Sequence, residues 1–516
     1  MVSIDGHHLH IDEIVRVARN YEEVQINEEG MKNILHSYEL RKKITSSDKA
    51  VYGINTGFGI FANKQIANED SAKLSRNLII SHAVGTGDPF PEEIVRAAML
   101  VRANTLCKGY SGVRPVVVET LIKMLNAKIF PLIPSQGSLG SSGDLAPLSH
   151  LALIFTTDEK NLEEESGNAY FENTLLSGKV AMRKAGINRI VLEAKEGLAI
   201  NNGATFSAAI AALSVFDSFA LSDVSEVSLA LSLEAMLGCK SAFDHRIHAV
   251  RGQLGQMTVA EKVRNYIENS NLISSTNRIQ DAYSLRCAPQ VQGVARDTLH
   301  FITGIVEREI NAATDNPLLF EPGIALSGGN FHGEPIGVAM DFLGIVLSEI
   351  ASISERRINR MTDENLNAGL PPMLVDHPDA AGLNSGLMMP QYTAASLVLE
   401  NQTLAHPDSV FSIPTSAEQE DHNANAMNAC KHTLQILKNV QHVISIELYT
   451  AARAIDLRLR DFPEGKLGKG TSLIYKLIRE EVPYQAGDAL WWPEIEKVKK
   501  LLLSREINKI LDFINS

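Results

Sequence analysis

Long stretches of helical periodicity in the second half of the chain constrain the fold most strongly. In the stretch 333–361, apolar residues recur at steps of three or four, which places them on one face of a long helix. These residues are Ile336, Met340, Leu343, Leu347, Ile350 and Ile353. Similar patterns cover 204–236, 288–312, 391–404 and 419–456. Because long helices bury their apolar faces against one another, the sequence predicts a mainly α-helical protein with an elongated central bundle.

The first 200 residues are organised differently, with shorter helical patterns that alternate with glycine-rich turns. Helices are predicted at 28–43, 69–81, 92–107 and 113–126, and loops at 51–59 and 131–143. Shorter helical segments at 470–481 and 493–514 end the chain. The predicted domains are therefore an N-terminal helix and loop domain (1–200), a central long-helix bundle (201–460) and C-terminal helices (461–516).

The charge of the chain limits its partners. A net charge of −13 argues against nucleic-acid binding, which requires clustered Lys and Arg. Two stretches without charges, 197–216 and 380–399, contain Asn and Gly, so we expect buried core helices there and no membrane span. The beginning of the chain also lacks the pattern of a secretory signal.

The four cysteines lie far apart, and no two of them have the spacing of a metal site. We therefore expect reduced thiols in a cytoplasmic protein. A compact His or Cys ligand motif is also lacking from the sequence, so no metal is predicted. The cysteines are Cys107, Cys239, Cys287 and Cys430.

Residues 137–150 read GSLGSSGDLAPLSH and permit an unusual reaction of the backbone. In a tightly bent loop the amide nitrogen of Gly143 can approach the carbonyl carbon of Ser141, because glycine has no Cβ to obstruct it. Ring closure with loss of water, followed by loss of the Ser142 hydroxyl, would leave a five-membered ring with an exocyclic methylidene group. An amine could add to this electrophile without an external cofactor. The alternative interpretation is a Gly/Ser loop followed by an Asp-capped helix.

This segment resembles the prosthetic-group loop of the histidine and phenylalanine ammonia-lyase family, in which Ala-Ser-Gly usually forms 4-methylideneimidazole-5-one (MIO). Ser141 replaces the alanine here and would keep its side chain as a ring substituent. The resemblance covers about residues 5–510. The other matching segments are VYGINTGFG (51–59), SHAVGTG (81–87), AKEGLAINNG (194–203), QDAYSLRCAPQ (280–290), TDNPL (314–318), SGGNFHGEP (327–335), SERRI (354–358) and PTSAEQEDH (414–422).

Membership of this family would imply the helical architecture of the fumarase and aspartase superfamily. It would also imply MIO formed autocatalytically from Ser141, Ser142 and Gly143. A further implication is a homotetramer whose active sites draw residues from more than one subunit. The chemistry removes ammonia and a β-proton from an α-amino acid, so a base, an amine activator and a carboxylate anchor must converge.

The resemblance assigns these roles to individual residues. Tyr52 matches the family's catalytic tyrosine, which removes the β-proton. Arg286 resembles the residue that binds the substrate carboxylate, since a guanidinium group can donate to two oxygens at once. Asn202 resembles the amide beside MIO, where its donors would stabilise developing charge. The remaining expected residues are Tyr283, a second phenol of the active site, and the pocket residues Gln280 and Phe331.

Two positions bear on the substrate. Ser81-His82 resembles the pair found in the histidine enzymes of the family, and Glu420 in Gln419-Glu420 does so too. A carboxylate near an imidazole can accept its N–H, whereas burying the carboxylate against a phenyl ring would cost free energy. The sequence therefore predicts deamination of L-histidine to trans-urocanate and ammonia. Glu418, where the family usually has Asn, adds a carboxylate that would either face solvent or widen the substrate range.

Other interpretations remain open. Phenylalanine and tyrosine ammonia-lyases share most of these residues, and so do 2,3-aminomutases, which return ammonia to the β-carbon. A β-amino acid product would identify an aminomutase. A non-catalytic helical scaffold is the third alternative. It is disfavoured because a binding protein would not need Tyr52, Asn202, Arg286 or the Ser142-Gly143 pair.

Overall fold

The computed structural model describes residues 1–46, 51–57, 61 and 63–515. The described residues are mainly helical, which confirms the predicted fold class. Residues 58 and 59 of the glycine-rich stretch 51–59 lie outside the described residues. The helices are α1 (Ile11–Asn20), α2 (Glu28–Thr45), α3 (Ser71–His82), α4 (Glu92–Cys107), α5 (Pro115–Asn126), α6 (Leu145–Phe155), α7 (Gly178–Lys184), α8 (Glu196–Asn201), α9 (Thr205–Ala235), α10 (His245–Ala249), α11 (Leu254–Tyr266), α12 (Tyr283–Arg286), α13 (Ala288–Glu309), α14 (Glu334–Thr362), α15 (Met388–Leu404), α16 (Ala426–Asp461), α17 (Lys469–Glu481), α18 (Trp491–Leu503) and α19 (Glu506–Asn515).

Short strands of two to four residues form small sheets among the described residues. The pairs β1–β2 and β6–β9 are parallel, whereas β3–β5, β4–β7–β8 and β10–β11 are antiparallel. Strands this short tie loops together and do not build a layer of their own. They are β1 (Val2–Ile4), β2 (Val24–Ile26), β3 (Thr86–Pro89), β4 (Phe130–Pro131), β5 (Pro134–Gln136), β6 (Thr156–Thr157), β7 (Asn168–Phe171), β8 (Thr174–Ser177), β9 (Ile190–Val191), β10 (Leu318–Phe320) and β11 (Ile324–Leu326).

Helix α14 has the apolar face that the sequence predicts. Each of the six apolar residues of that face is at most 8% exposed. The predicted helix 333–361 and the observed helix Glu334–Thr362 differ by one residue at each end. Periodicity alone therefore located the buried apolar face of this helix.

Two helix boundaries differ from the prediction. Helix α16 begins at Ala426, and not at residue 419, because the preceding segment turns back on itself. Asn425, directly before Ala426, has a φ of +51°, which a right-handed helix does not allow. The stretch 493–514 forms two helices, α18 and α19, because Arg505 has a φ of +61° between them.

The prediction of a buried helix within 380–399 is wrong for most of α15. Only Pro390, Ala394, Val398 and Asn401 of α15 are buried, whereas Tyr392 and Leu399 are 62% and 63% exposed. Two other helices, α9 and α14, are long and apolar enough to cross a membrane, and 78% and 72% of their most apolar windows are buried within the fold.

The described residues group into two compact units, each made of several stretches of chain. The first unit contains Met1–Phe216, Ile302–Asp341 and Pro407–Lys431, and the second contains Asp217–Phe301, Phe342–His406 and His432–Ser516. Contacts thus group the chain differently from the three predicted sequential domains. Four of the five boundaries fall within long helices, since a helix of about 30 residues is about 45 Å long and its two ends have different neighbours.

A buried ion pair joins three helices within the second unit. Nε of Arg357 in α14 lies 2.5 Å from Oε1 of Glu447 in α16, and both side chains are fully buried. The hydroxyls of Ser232 in α9 and Ser354 in α14 donate to the same carboxylate at 2.7 and 2.6 Å. The carboxylate therefore has several donors, which compensate for its removal from water.

We expect Glu447→Gln to destabilise the protein by about 3 kcal/mol, because the variant leaves the Arg357 charge buried without its counter-ion. Thermal unfolding followed by circular dichroism measures the change. Glu480→Gln is the matched control, since Glu480 in α17 is 59% exposed in a loose pair with Lys476. Equal melting temperatures for the two variants would contradict this role of Glu447.

Candidate active site

A cavity of about 1150 Å³ lies within the first unit. Several separate segments line it: residues after α2, the end of α3, the start of α6, and the loops that precede α9, α14 and α16. Of the residues predicted for the site, seven lie together in its wall. They are Tyr52, His82, Ser141, Ser142, Asn202, Phe331 and Glu420.

The serine-rich loop, residues 137–143, is tightly bent where it passes the start of α9. Gly140 and Gly143 have positive φ values of +64° and +88°. A Cβ on Gly143 would lie 2.0 Å from the backbone nitrogen of Gly203, so the two backbones touch in a way that only glycine allows. The N–H of Asp144 also donates to the carbonyl of Gly203 at 2.9 Å.

The side chain of Asp144 holds the serine-rich loop in place through hydrogen bonds, a role that was not predicted from the sequence. Its side chain is completely buried and makes no capping hydrogen bond to α6. It accepts hydrogen bonds from the hydroxyl of Ser138 at 2.8 Å and from the backbone N–H and hydroxyl of Ser207 at 2.8 and 3.1 Å. Burial raises the pKa of the Asp144 carboxyl, and these donors act against that effect.

Buried cations lie beneath the Gly143–Gly203 contact. Arg102 is fully buried and donates to the carbonyl of Ala199 at 3.2 Å and to the hydroxyl of Thr205. Burial lowers the pKa of the Arg102 guanidinium to about 10. Lys195 and Asp315 form a fully buried ion pair, with 2.5 Å between nitrogen and oxygen. Sequence reasoning did not find these residues, because a single Arg or Lys in a helical pattern gives no sign of its burial.

Asn202 contacts the loop directly. Its Nδ2 donates to the carbonyl oxygen of Ser142, whereas its Oδ1 is buried without a hydrogen-bond partner. The neighbouring Asn201 instead donates to Ser149 at 3.2 Å. A bent loop with glycine at its third position, and an unpaired buried amide oxygen beside it, fits a prosthetic group formed from residues 141–143.

The two serine hydroxyls have different partners. The hydroxyl of Ser141 accepts a hydrogen bond from the N–H of Ala424 at 2.9 Å, and the side chain is only 5% exposed. The hydroxyl of Ser142 donates to Oε1 of Glu420 at 2.7 Å. Ser141 is thus held in the wall, whereas Ser142 faces a carboxyl group in the cavity.

Glu420 stands at the base of a tight turn. Thr415 and Glu420 exchange backbone hydrogen bonds of 2.9 and 3.3 Å, and the Thr415 hydroxyl donates to Oε2 of Glu420 at 3.1 Å. Glu418 at the tip of this turn is exposed and does not line the cavity. Of the two expectations for Glu418, the structure favours the side chain that faces solvent.

His82 ends α3 in the cavity wall, where its Nδ1 lies 3.0 Å from the hydroxyl of Ser81. Burial lowers the pKa of His82 below its ordinary value, although a backbone contact with Leu78 and the charge of Glu420 act in the opposite direction. The neutral imidazole is therefore the favoured form near neutral pH.

Two further histidines lie in the same wall. His332 and His422 stack with ring centroids 6.1 Å apart, and Nε2 of His332 is 3.1 Å from the carbonyl of His422. His332 was not among the residues predicted for the site. The segment SGGNFHGEP gave no signal that its histidine would reach the cavity.

Gln280, Tyr283 and Arg286 belong to the second unit and are not among the residues that line the cavity. The Arg286 guanidinium lies 4.6 Å from the centre of the Tyr283 ring. Tyr283 is 70% exposed, and Nε of Arg286 is buried without a hydrogen-bond partner. The structure of one chain thus brings together the phenol, imidazole and carboxyl groups of the predicted site but leaves its carboxylate anchor elsewhere.

We expect Gly143→Ala to lower stability by more than about 2 kcal/mol, since the added methyl group would overlap the backbone of Gly203 at a positive φ. Differential scanning calorimetry of the variant provides the measurement. Gly304→Ala in α13 is the control, because its Cβ would approach nothing closer than 3.4 Å. An unchanged melting temperature for Gly143→Ala would show that the two backbones are not in contact.

A second prediction concerns the imidazole of His82. Its protonation midpoint, followed by NMR on histidine-labelled protein, should lie below the ordinary value of 6.5 because burial disfavours the charged ring. Glu420→Gln should lower the midpoint further, since the variant removes a negative charge that favours protonation. The resonance is assigned by its loss in His82→Gln, and a midpoint at or above 6.5 would refute the prediction.

Comparison with known proteins places this geometry in a family. The sequence profile described as aromatic amino acid lyase matches residues 9–480. A histidine ammonia-lyase of Caldanaerobacter subterraneus subsp. tengcongensis is 47% identical over 513 residues, which cover 99% of this chain and 98% of the relative.

Two solved structures are similar over almost the whole chain. Histidine ammonia-lyase from Trypanosoma cruzi has a TM-score of 0.90 at 36% identity, with 99% of this chain and 95% of that one covered. Tyrosine aminomutase from Streptomyces globisporus has a TM-score of 0.91 at 32% identity, with 99% and 98% covered. With matches of this extent in sequence and structure, the chain belongs to the aromatic amino acid lyase family.

Proposed function

We propose that this protein eliminates ammonia from L-histidine to give trans-urocanate. The observation that carries the proposal is the presence of His82 and Glu420 in one cavity with Ser142. The relative from Caldanaerobacter and the structure from Trypanosoma are named histidine ammonia-lyases, which supports the same substrate. An imidazole substrate needs polar partners, and a phenyl ring would offer no donor to the Glu420 carboxyl.

The proposed prosthetic group is MIO, formed from Ser141, Ser142 and Gly143. When present, MIO supplies an electrophile that takes up the substrate amine and makes it a better leaving group. The bent loop, the glycine-only contact of Gly143 and the hydrogen bond from Asn202 to the Ser142 carbonyl fit such a ring. Asn202 would hold the carbonyl oxygen and stabilise negative charge that develops on it.

Tyr52 is the proposed base for the β-proton. It lines the same cavity as Ser142, so its phenol can face the β-carbon of a substrate whose amine points to the loop. A phenol has an ordinary pKa near 10, so it removes a proton efficiently only where the site favours the phenolate. Phe331 lies in the same wall and helps to exclude water from the reacting atoms.

His82 and Glu420 are the proposed partners of the substrate imidazole. Neutral His82 can donate one N–H and accept at its other nitrogen, so it can pair with either tautomer of the substrate. Glu420 can accept the remaining substrate N–H and fix the ring in one orientation. This arrangement would discriminate against phenylalanine, whose ring offers no donor.

The carboxylate anchor is proposed to come from another copy of the chain in a homotetramer. Arg286 and Tyr283 belong to the second unit and do not line the cavity of the first unit, and the second unit exposes several large apolar side chains. Large exposed apolar surfaces are typical of subunit interfaces. Exposed apolar side chains of the second unit include Ile279 (93%), Tyr283 (70%), Leu383 (89%), Met389 (59%), Tyr392 (62%) and Leu399 (63%). A cytoplasmic location stays a prediction from the sequence.

A 2,3-aminomutase is the second candidate, because the tyrosine aminomutase from Streptomyces globisporus shares the fold at a TM-score of 0.91. Phenylalanine and tyrosine ammonia-lyases are further alternatives, because they share the chemistry of ammonia elimination. An aminomutase holds the unsaturated acid and the ammonia until they recombine. A β-amino acid product would therefore identify that activity.

We expect ultraviolet absorbance of the purified protein to show urocanate with L-histidine, and no product with L-tyrosine or L-phenylalanine in parallel cuvettes. Ser142→Ala should lose turnover by a factor on the order of 10³ or more, since it cannot form the electrophile. Ser504→Ala, at an exposed position after α18, should behave as the parent. Product from phenylalanine or tyrosine alone would overturn the proposed substrate.

A further inference from the structure

A carboxyl group from a distant part of the chain contacts the Ser142 hydroxyl. Ser142 Oγ donates to Oε1 of Glu420 over 2.7 Å, and 278 residues separate the two in sequence. The same hydroxyl must leave as water if residues 141–143 become the ring of the proposed function. We infer, on the basis of that function, that Glu420 is the proton donor to this departing hydroxyl, so that it acts on the protein's own loop before it meets substrate.

The carboxyl group is held in place for this role. Its second oxygen, Oε2, accepts a hydrogen bond from the Thr415 hydroxyl at 3.1 Å. The backbone of Glu420 is paired with that of Thr415, and the residues between them include three with positive φ. A turn of this kind leaves few other conformations, so Oε1 stays directed at Ser142.

The reaction needs an acid at this position. Hydroxide is a poor leaving group, since bulk water is a very weak acid. In the proposed step, the α-proton of residue 142 passes to water and its electron pair forms the Cα=Cβ bond. Glu420, protonated from solvent at Oε1, gives this proton to Oγ as the Cβ–Oγ bond breaks, and Oγ leaves with both hydrogens as water. Glu420 then regains a proton from solvent, so neither an oxidant nor a reductant is needed.

A second contact supports the same step from the other side. Asn202 Nδ2 donates to the carbonyl oxygen of Ser142. Negative charge develops on this oxygen as the α-proton leaves, and the donor stabilises it. The α-proton thus becomes more acidic at one end of the residue, while Glu420 improves the leaving group at the other.

The test compares two Glu→Gln substitutions in one turn. Glu420→Gln keeps the shape and a hydrogen-bonding group but cannot give up a proton as an acid. Glu418→Gln is the matched control, because Glu418 is exposed and does not line the cavity. Each full-length chain is made by cell-free synthesis and sampled over time. The mass of the tryptic peptide 129–160, which contains residues 141–143, then reports how many waters have been lost.

We expect the parent and Glu418→Gln to lose two waters from this peptide. Glu420→Gln should lose the second water about 100-fold more slowly or not at all, as is typical when a general acid is removed. Loss of both waters at the parental rate would overturn the inference. If Glu420→Gln lacks the circular dichroism of the parent, Thr415→Val replaces it in the test, because this variant removes the hydroxyl that donates to Oε2. Slower loss of the second water then supports the inference, and loss at the parental rate overturns it.

The peptide mass separates this inference from the proposed function. A parent chain that loses two waters but leaves L-histidine unchanged contradicts the substrate assignment, while the masses of the variants still decide the role of Glu420. A Glu420→Gln chain that matures at the parental rate but turns over slowly places Glu420 in turnover alone. That result would refute the inference and leave the proposed function standing.

Discussion

The backbone contact between Gly143 and Gly203 is the constraint on which the candidate active site depends. At this point two chain segments approach more closely than any side chain would permit. The contact sets the bend of the serine-rich loop and brings Asn202 against the Ser142 carbonyl. The side chains of Asp144, next to the loop, and Arg102, next to Gly203, are both buried and hydrogen-bonded. Such groups resist displacement, because any opening of the contact would leave them unpaired in the interior.

Much of the fold could be predicted from apolar periodicity, and the failures have two causes. The face of α14 was found because a long helix repeats its pattern many times. The start of α16 and the break at Arg505 were missed because they depend on single residues with positive φ, which periodicity does not register. The exposure of α15 was missed for another reason. An apolar sequence shows that a face will be covered but does not show whether the same chain or another molecule covers it.

The site was predictable only in part from local chemistry. Ser142 and Gly143 could be recognised because the proposed ring formation involves a single tripeptide. The convergence of His82, Phe331 and Glu420 on that tripeptide came from resemblance to a family, since sequence spacing carries no information about contacts over such distances. Asp144 illustrates the limit. In the alternative interpretation of the sequence Asp144 caps α6, whereas its buried carboxyl accepts hydrogen bonds from Ser138 and Ser207.

The turn at Thr415–Glu420 has a consequence for the order of events during biosynthesis. The loop at 141–143 leaves the ribosome early, but its contacts with Ala424 and Glu420 span 283 and 278 residues. These contacts cannot form until about four fifths of the chain has been made. Until then the nascent chain carries the loop without the contacts on which the proposed ring formation depends. The near-completion of synthesis therefore determines when the loop can reach its final geometry.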